Sequence, residues 1–469
     1  MQVNIDHFET VASDKELGKG PFWTDDVCKP IAANLPYATL EAKSQPHIFD
    51  GAPFVKNVSF INPGGGGLST NVDRAATPDL FNAIKIRLYP NIIQRAYFEE
   101  CFGAHRYFYN ASVEEWSTYD PEDKKKPINE IALRTMLIPT EDNMAVHEQW
   151  MKRINASVRR GGLETFVAMQ HAAVSNEHNV KAFAFLEKSN PRQVFHAAPD
   201  SILYTKGQIK MFTQKLKEYK FFKIDKRGRS DIDKHFPNGI DREYIVLKDH
   251  NQYYLCLPYI AETREYDDTV DDFIALDPGI NTFQSYYSTK TSGKLGTNLS
   301  DMTERIHRKI KQLQRIRCTV NNRKKKGIDR KCMRLRAKAR NIVDNFQWHC
   351  VNWLTKNFKV ILLPRFSMKY LKVSSPVMRR GLSLRHATFA QKLEHRVMQC
   401  KDRVLIRCSE SYTSKTCGLC GNIDNELGKG RVYNCKTCNQ AQDRDIHAAR
   451  NILMKCLSIE ALARLTLQH

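Results

Sequence analysis

Four cysteines carry the clearest chemistry in the chain. Cys417-Gly-Leu-Cys420 and Cys435-Lys-Thr-Cys438 are separated by fourteen residues. Each CxxC places two thiolates on one tight turn, and two such turns complete a tetrahedral zinc site with no position left open for a substrate. Gly418 and Gly421 are expected to supply the turn freedom of the first pair. The competing readings are a pair of disulfides or a redox dithiol, and two pairs this close favour one structural Zn2+ instead. The chain has thirteen cysteines, and the other nine are scattered. That is the usage of a reducing compartment with one metal site.

Carboxylates form the second group. Asp277 closes the short apolar strand Phe273-Ile-Ala-Leu-Asp277, and Pro278-Gly279 turns the chain straight after it. A strand end is a common place for a metal ligand in RNase-H-like folds, and an acid before a turn also serves as a simple cap. Asp443 and Asp445 lie in Gln442-Asp-Arg-Asp-Ile-His, which reads as a helix entry. Acids there cap the helix or complement its dipole without any further role.

A third group is cationic. Lys and Arg number 73 against 51 Asp and Glu, a formal charge of +22. Between Thr303 and Arg340 sixteen cations face only Glu304 and Asp329, so this stretch alone carries +14. Alternating signs would lace a solvated helix with salt bridges, whereas one sign repels itself unless an anion is present. A polyanion is therefore the expected partner, and Arg305, Arg308, Lys309, Lys311, Arg315, Arg323, Lys324, Lys325, Lys326 and Arg330 are the expected nucleic-acid contacts. Ile306, Ile310, Leu313 and Val320 form one apolar stripe, and Leu335, Ala339, Ile342, Phe346 and Trp353 form another. The pattern predicts two amphipathic helices joined near Gly327. No apolar run is long enough to span a membrane, and the first residues carry no secretory pattern.

The remaining elements frame these groups. Residues 1–80 read as a separate extension with a flexible Pro63-Gly64-Gly65-Gly66-Gly67 linker. Asn82 to Pro90 alternates as a strand; residues 92 to about 220 read as mostly helical; Tyr244 to Ile260 reads as two strands. Asn281 to Ser288 is expected to pair with the Asp277 strand.

The order of these pieces resembles one family. An IALDPG strand, a basic helical pair, a second strand, YTSKTCGLCG, a second CxxC and DRDIHAARNIL are similar to the TnpB/Fanzor transposon-associated nucleases, relatives of the type V CRISPR effectors. The resemblance spans roughly residues 82 to 454 and includes IRLYPN, GAHRYFYNASV, KIKQLQRIR and RKKKG. It implies a mixed α/β multidomain fold. An RNase-H-like RuvC nuclease domain (271–410 and 440–469) would carry an inserted zinc ribbon (411–439). A β-barrel-like wedge domain (81–91 and 221–270) would carry an inserted helical recognition domain (92–220).

The resemblance further implies an Asp-Glu-Asp site holding two Mg2+ ions for phosphodiester hydrolysis. Asp277 matches its first acid and Asp445 its third, with Asp443 as the rival of Asp445. The usual second position holds Pro364. Fanzor-type members are closer, because their glutamate lies downstream; Glu410, just past the apolar strand Val404-Leu-Ile-Arg-Cys408, takes that place, with Glu394 as its rival. The implied partners are a guide RNA and a double-stranded DNA target beside a short motif, in a monomeric ribonucleoprotein. The implied site of action is the nucleus of a eukaryote, or of the host of a large DNA virus, and otherwise the cytoplasm. A guided binder without cleavage and an unguided RNase-H-fold recombinase or nuclease are the alternatives.

Overall fold

A computed structural model of the chain describes residues 59–61, 81–118, 128–138, 146–175, 183–205, 207–249, 252–266, 271–368, 373–408 and 412–456, the last without 426, 427, 429 and 440. These residues form a mixed α/β, multidomain protein whose chain divides into two compact units, 79–261 and the remainder.

The first unit is one seven-stranded sheet with helices. Its strands are β2 (Phe81–Tyr89), β3 (Arg192–Ala197), β4 (Ile202–Thr205), β5 (Gln208–Met211), β6 (Phe221–Ile224), β7 (Tyr244–Asp249) and β8 (Gln252–Ile260), in the order β3-β7-β8-β2-β6-β5-β4. Its edge strands β3 and β4 are neighbours in sequence. A flat seven-stranded sheet would hold its edges about 29 Å apart. The link from Ala197 to Ile202 spans at most about 18 Å, so the sheet curls toward a barrel. Helices α1 (Ile92–Thr118), α2 (Glu130–Leu137) and α3 (Ala156–Ser175) follow β2, with α4 (Thr213–Leu216) and α5 (Lys226–His235) later. Phe98 and Phe102 of α1 enter the sheet's core beside Phe195, Phe222 and Tyr253.

One expectation fails here. Residues 192–224 hold four strands of the sheet, with only the one-turn α4 and short 3-10 turns between them, and do not continue the long helices, the last of which before these strands is α3. The runs are four to six residues long. That is too short for their alternation to stand out against the helix-favouring Thr213-Gln-Lys-Leu216 between them.

The second unit holds the chemistry. Its strands are β9 (Asp271–Pro278), β10 (Gln284–Ser288), β11 (Ser292–Leu295), β12 (Phe358–Pro364) and β13 (Val404–Cys408), with β1 (Ser59–Ile61) on the outer edge. The order is β1-β13-β12-β9-β10-β11. β9, β10 and β11 run antiparallel in succession, and β12 and β13 lie parallel to β9. Counting from β9, that is order 3-2-1-4-5, the arrangement of an RNase-H-like sheet. The antiparallel β1 on β13 was not foreseen in the N-terminal extension; Pro63–Gly67 lie outside the described residues.

Helices α6 (Leu299–Thr319), α7 (Asn322–Asn357), α8 (Ser375–Leu384) and α9 (His386–Met398) join these strands, and α10 (Arg444–Cys456) closes the described chain. The sheet buries both faces by simple alternation. Ile274 and Leu276 of β9 pack with Val343, Phe346, Phe389 and Leu393 of α7 and α9. Phe273 and Ala275 pack with Ala449, Ile452 and Leu453 of α10.

The basic helices meet at Asn321, and the expected break at Gly327 is corrected. The Asn321 side chain accepts a hydrogen bond from the Lys324 N–H and caps α7, while Val320 is extended. Gly327 lies inside α7, with open space where a side chain would stand.

Candidate nuclease site and zinc knuckles

Asp277 is the next residue after Phe273 and Ala275 on the face covered by α10. Its register partner on β10 is Ser285, and the partner of Ser285 on β11 is Lys294. Directly opposed residues point to the same side, so Asp277, Ser285 and Lys294 form one row on the α10 face. The Lys294 ammonium lies 2.6 Å from Asp443 Oδ2 and 3.8 Å from Asp445 Oδ2. The row thereby brings Asp277 and the start of α10 to one end of one face, at the C-terminal ends of the parallel strands.

The two aspartates of the helix entry have different work. Asp443 ends strand β15 (Ala441–Asp443), which pairs with β14 (Val432–Asn434). Its Oδ1 accepts hydrogen bonds from the Asp445 and Ile446 N–H groups, the N-cap pattern, and its Oδ2 takes Lys294. Asp445, in the first helical turn, keeps a half-exposed carboxylate whose one ion pair among the described residues is the longer Lys294 contact. A cap fixes Asp443, while Asp445 retains oxygens to offer a cation.

Pro364 is likewise placed by the sheet. Leu362 of β12 pairs with Ala275, so two residues further the register sets Pro364 beside Asp277 on the same face. The position flanking Asp277 therefore offers no acid. Pro364 pairs in turn with Cys408 at the end of β13. Glu410, two residues on, lies outside the described residues. Glu394 is on α9, ion-paired at 3.3 Å with Arg407. Arg407 alternates with Ile406 and Cys408, which face α10, so Glu394 stands on the opposite face from Asp277.

Lys294 was missed in the sequence. Its signal is only register: it sits two hairpin crossings from Asp277, and no motif marks it. Asp445, in reach of Lys294, and Asp277, in register with it, offer the hard carboxylate oxygens that a Mg2+ ion would take.

The four cysteines do converge. All four Sγ atoms lie within 4.8 Å of one another. Cys417 to Cys438 and Cys420 to Cys435 are each 3.6 Å apart. A disulfide needs about 2.05 Å. Tetrahedral zinc with bonds of about 2.3 Å sets its sulfurs about 3.8 Å apart, so the cluster fits zinc. The N–H groups of Cys438 and Thr437 bring the Cys435 thiol down to about 6, toward the thiolate a metal requires. Gly421 (φ 74°) and Asn439 (φ 53°) follow the second cysteine of each pair in the left-handed region. Gly418, expected to serve the turn, serves packing instead: a Cβ there would lie 2.4 Å from Asn451 Oδ1.

Helix α10 grips this knuckle. Asn451 Nδ2 donates to the Thr413 and Thr416 carbonyls, Arg450 donates to the Gly418 carbonyl, and His447 Nε2 donates to Thr416. The His447 ring also stacks on Tyr433 at 4.4 Å. One helix thus carries Asp445 and holds the cysteine cluster.

The cationic hairpin is exposed. Nine of the ten expected contact residues are exposed and Lys325 is half-buried. None of the ten has a carboxylate partner among the described residues. The two nearby acids are taken elsewhere, Glu304 by Arg379 and Asp329 by Arg317. Ile310, Ala339 and Phe346 of the expected stripes are buried.

A family model described as the Cas12f1-like, TNB domain matches residues 386–452, from α9 to α10. A second, described as the helix-turn-helix domain of IS605 OrfB, matches 82–125; here that stretch folds as β2 followed by α1. Protein A625R of Paramecium bursaria Chlorella virus 1, which carries a provisional transposase name, is 25% identical over 81% of this chain and 88% of its own length. The TnpB-like protein L770 of Acanthamoeba polyphaga mimivirus is 24% identical over 79% and 72%. Along about four fifths of its length the chain is similar to TnpB-like proteins. Among solved structures, a Cas12f1-sgRNA-target DNA complex matches with a TM-score of 0.31 at 16% identity, covering 79% of this chain and 98% of that one. The mini-RNA-guided endonuclease CRISPR-Cas_phi3 matches with a TM-score of 0.39 at 8% identity, covering 80% and 92%.

Proposed function

We propose that this chain is a TnpB-family, RNA-guided DNA endonuclease of the Fanzor type. The reading rests above all on the row Asp277–Ser285–Lys294, which meets Asp445 on one face of an RNase-H-like sheet. Asp277, Glu410 and Asp445 would hold two Mg2+ ions. When bound, these ions activate a water and stabilise the leaving oxygen of a phosphodiester. The protein's part is to aim three carboxylates at one end of the sheet and to keep them from repelling one another. Glu394 is ion-paired with Arg407 on the face opposite Asp277, which favours Glu410 over Glu394.

Cys417, Cys420, Cys435 and Cys438 would hold one structural Zn2+. The exposed cations of α6 and α7 would hold guide RNA or its heteroduplex with DNA. Pairing would then read the target sequence, leaving the protein to read a short adjacent motif and duplex shape. The wedge, recognition, RuvC and ribbon partition is proposed on the same grounds, with the strands of 192–224 now assigned to the wedge sheet. A monomeric ribonucleoprotein acting in a nucleus completes the reading.

Purified ribonucleoprotein tests it. Sequencing the co-purifying RNA should return one defined species, and matched DNA should be cut only with Mg2+. Matched DNA bound but never cut would leave a guided binder; the absence of a defined RNA would favour an unguided recombinase or nuclease.

A further inference from the structure

On the sheet face opposite Asp277, at the same strand ends, lies a cavity of about 500 Å³ between α9 and the β12 terminus. Gln284 of β10 lines it, fully buried, and neither its amide oxygen nor its amide nitrogen has a partner among the described residues. His386, at the first turn of α9, also lines it. Its Nε2 donates to the Gly279 carbonyl, which leaves Nδ1 as an acceptor, buried and without a partner among the described residues. Phe366 packs on the His386 ring at 4.6 Å, and exposed Arg365 stands at the rim.

Buried amides are normally hydrogen-bonded, so a fully orphaned one implies a missing partner. The lining decides which. A phosphate offers only acceptors and would face the acceptor Nδ1 and the Glu394 carboxylate. Arg407, a half-buried cation in the lining, is already neutralised by Glu394. A nucleobase edge offers donors and acceptors together, and its face suits an aromatic wall.

We infer that this cavity holds one unstacked nucleobase, its edge read by Gln284 and His386, with Arg365 placed for the adjoining phosphate. The inference rests on the nucleic-acid reading above and adds a subsite to it. Because Pro278 lines the cavity and Asp277 precedes it, a strand crossing the sheet end could present a phosphodiester to the acids and a base to the pocket.

The test uses full-length protein without Mg2+, so that binding is read without cutting. The probes are single-stranded oligo-dT, and separately oligo-U, carrying either one 2-aminopurine or one abasic residue. Wild type should prefer the 2-aminopurine oligonucleotide to the abasic one by about tenfold, the low end of one bidentate amide–base contact, with a change in its fluorescence. Gln284→Leu should abolish that preference while retaining its melting temperature and its affinity for the abasic oligonucleotide. Ala387→Trp, which fills the cavity from an exposed helix position, should do the same without touching the amide. Preference in the DNA arm assigns the base to target DNA, and in the RNA arm to the guide. Tight binding without preference, or a preference unchanged in both variants, would overturn the pocket and leave the nuclease reading standing. Failure of wild type to bind either oligonucleotide would overturn both.

Discussion

At the residue scale, two aspartates one residue apart are divided by their hydrogen bonds. Asp443 spends one oxygen on backbone N–H groups and the other on Lys294, and Asp445 spends little. Sequence reading could nominate both, because both sit at a helix entry, but only the register of β11 shows what holds each. Glu410→Gln, Asp277→Ala and Asp445→Ala should each lower DNA cleavage by orders of magnitude while RNA and target binding persist. Double variants should lose little more, since the three act as a unit. Near-wild-type cutting by Glu410→Gln would remove it from the site. Lys294 makes a further claim. It balances two acids that are about half-exposed, so Lys294→Met should cost at most about 1 kcal/mol without Mg2+. Thermal melts should show that gap closing as Mg2+ is added, and a gap insensitive to Mg2+ would separate Lys294 from the metal site.

At the scale of elements, the legible features were those with a long period or a fixed spacing. The basic hairpin announced itself through one-signed charge and apolar stripes, and the cysteine pairs through CxxC. The short strands of 192–224 did not, because four residues give too little alternation to outweigh local propensity. The helix break was misplaced for a related reason. A glycine weakens a helix without ending it, whereas the Asn321 cap starts one. Gly327→Ala should therefore stabilise α7 by up to about 1 kcal/mol, since nothing occupies the space a methyl group would take. Loss of stability on chemical denaturation would show that α7 needs a bend there. The same hairpin makes an electrostatic prediction. Neutralising four of Arg323, Lys324, Lys325, Lys326 and Arg330 should flatten the slope of log affinity against log salt by up to about 3. An unchanged slope would place the nucleic acid elsewhere.

At the scale of the molecule, helix α10 carries Asp445 and holds the cysteine knuckle, so a zinc ion in the cluster would be coupled to the chemistry proposed for the acids. Stripping zinc with a chelator should release the carbonyls held by His447, Arg450 and Asn451 and so loosen Asp445. Hydrogen exchange over 412–456 should rise and cleavage should fall together; zinc-free protein with unchanged exchange and activity would break that link. The order of motifs carried the family resemblance and the sheet, since a strand, a helical pair, a strand and a knuckle are readable one by one. What it could not carry was which face each acid occupies, because a face is fixed by register between strands far apart in the chain. The central claim is guided, metal-dependent cutting at that face. Its most direct measurement is cleavage of a DNA duplex matched to the co-purified RNA, by wild type and by Asp277→Ala, across a Mg2+ titration. The account predicts that both proteins bind the duplex and that only wild type cuts it, with cutting that rises with Mg2+. Cutting by Asp277→Ala at the wild-type rate, or a bound duplex left intact by wild type at every Mg2+ concentration, would contradict it.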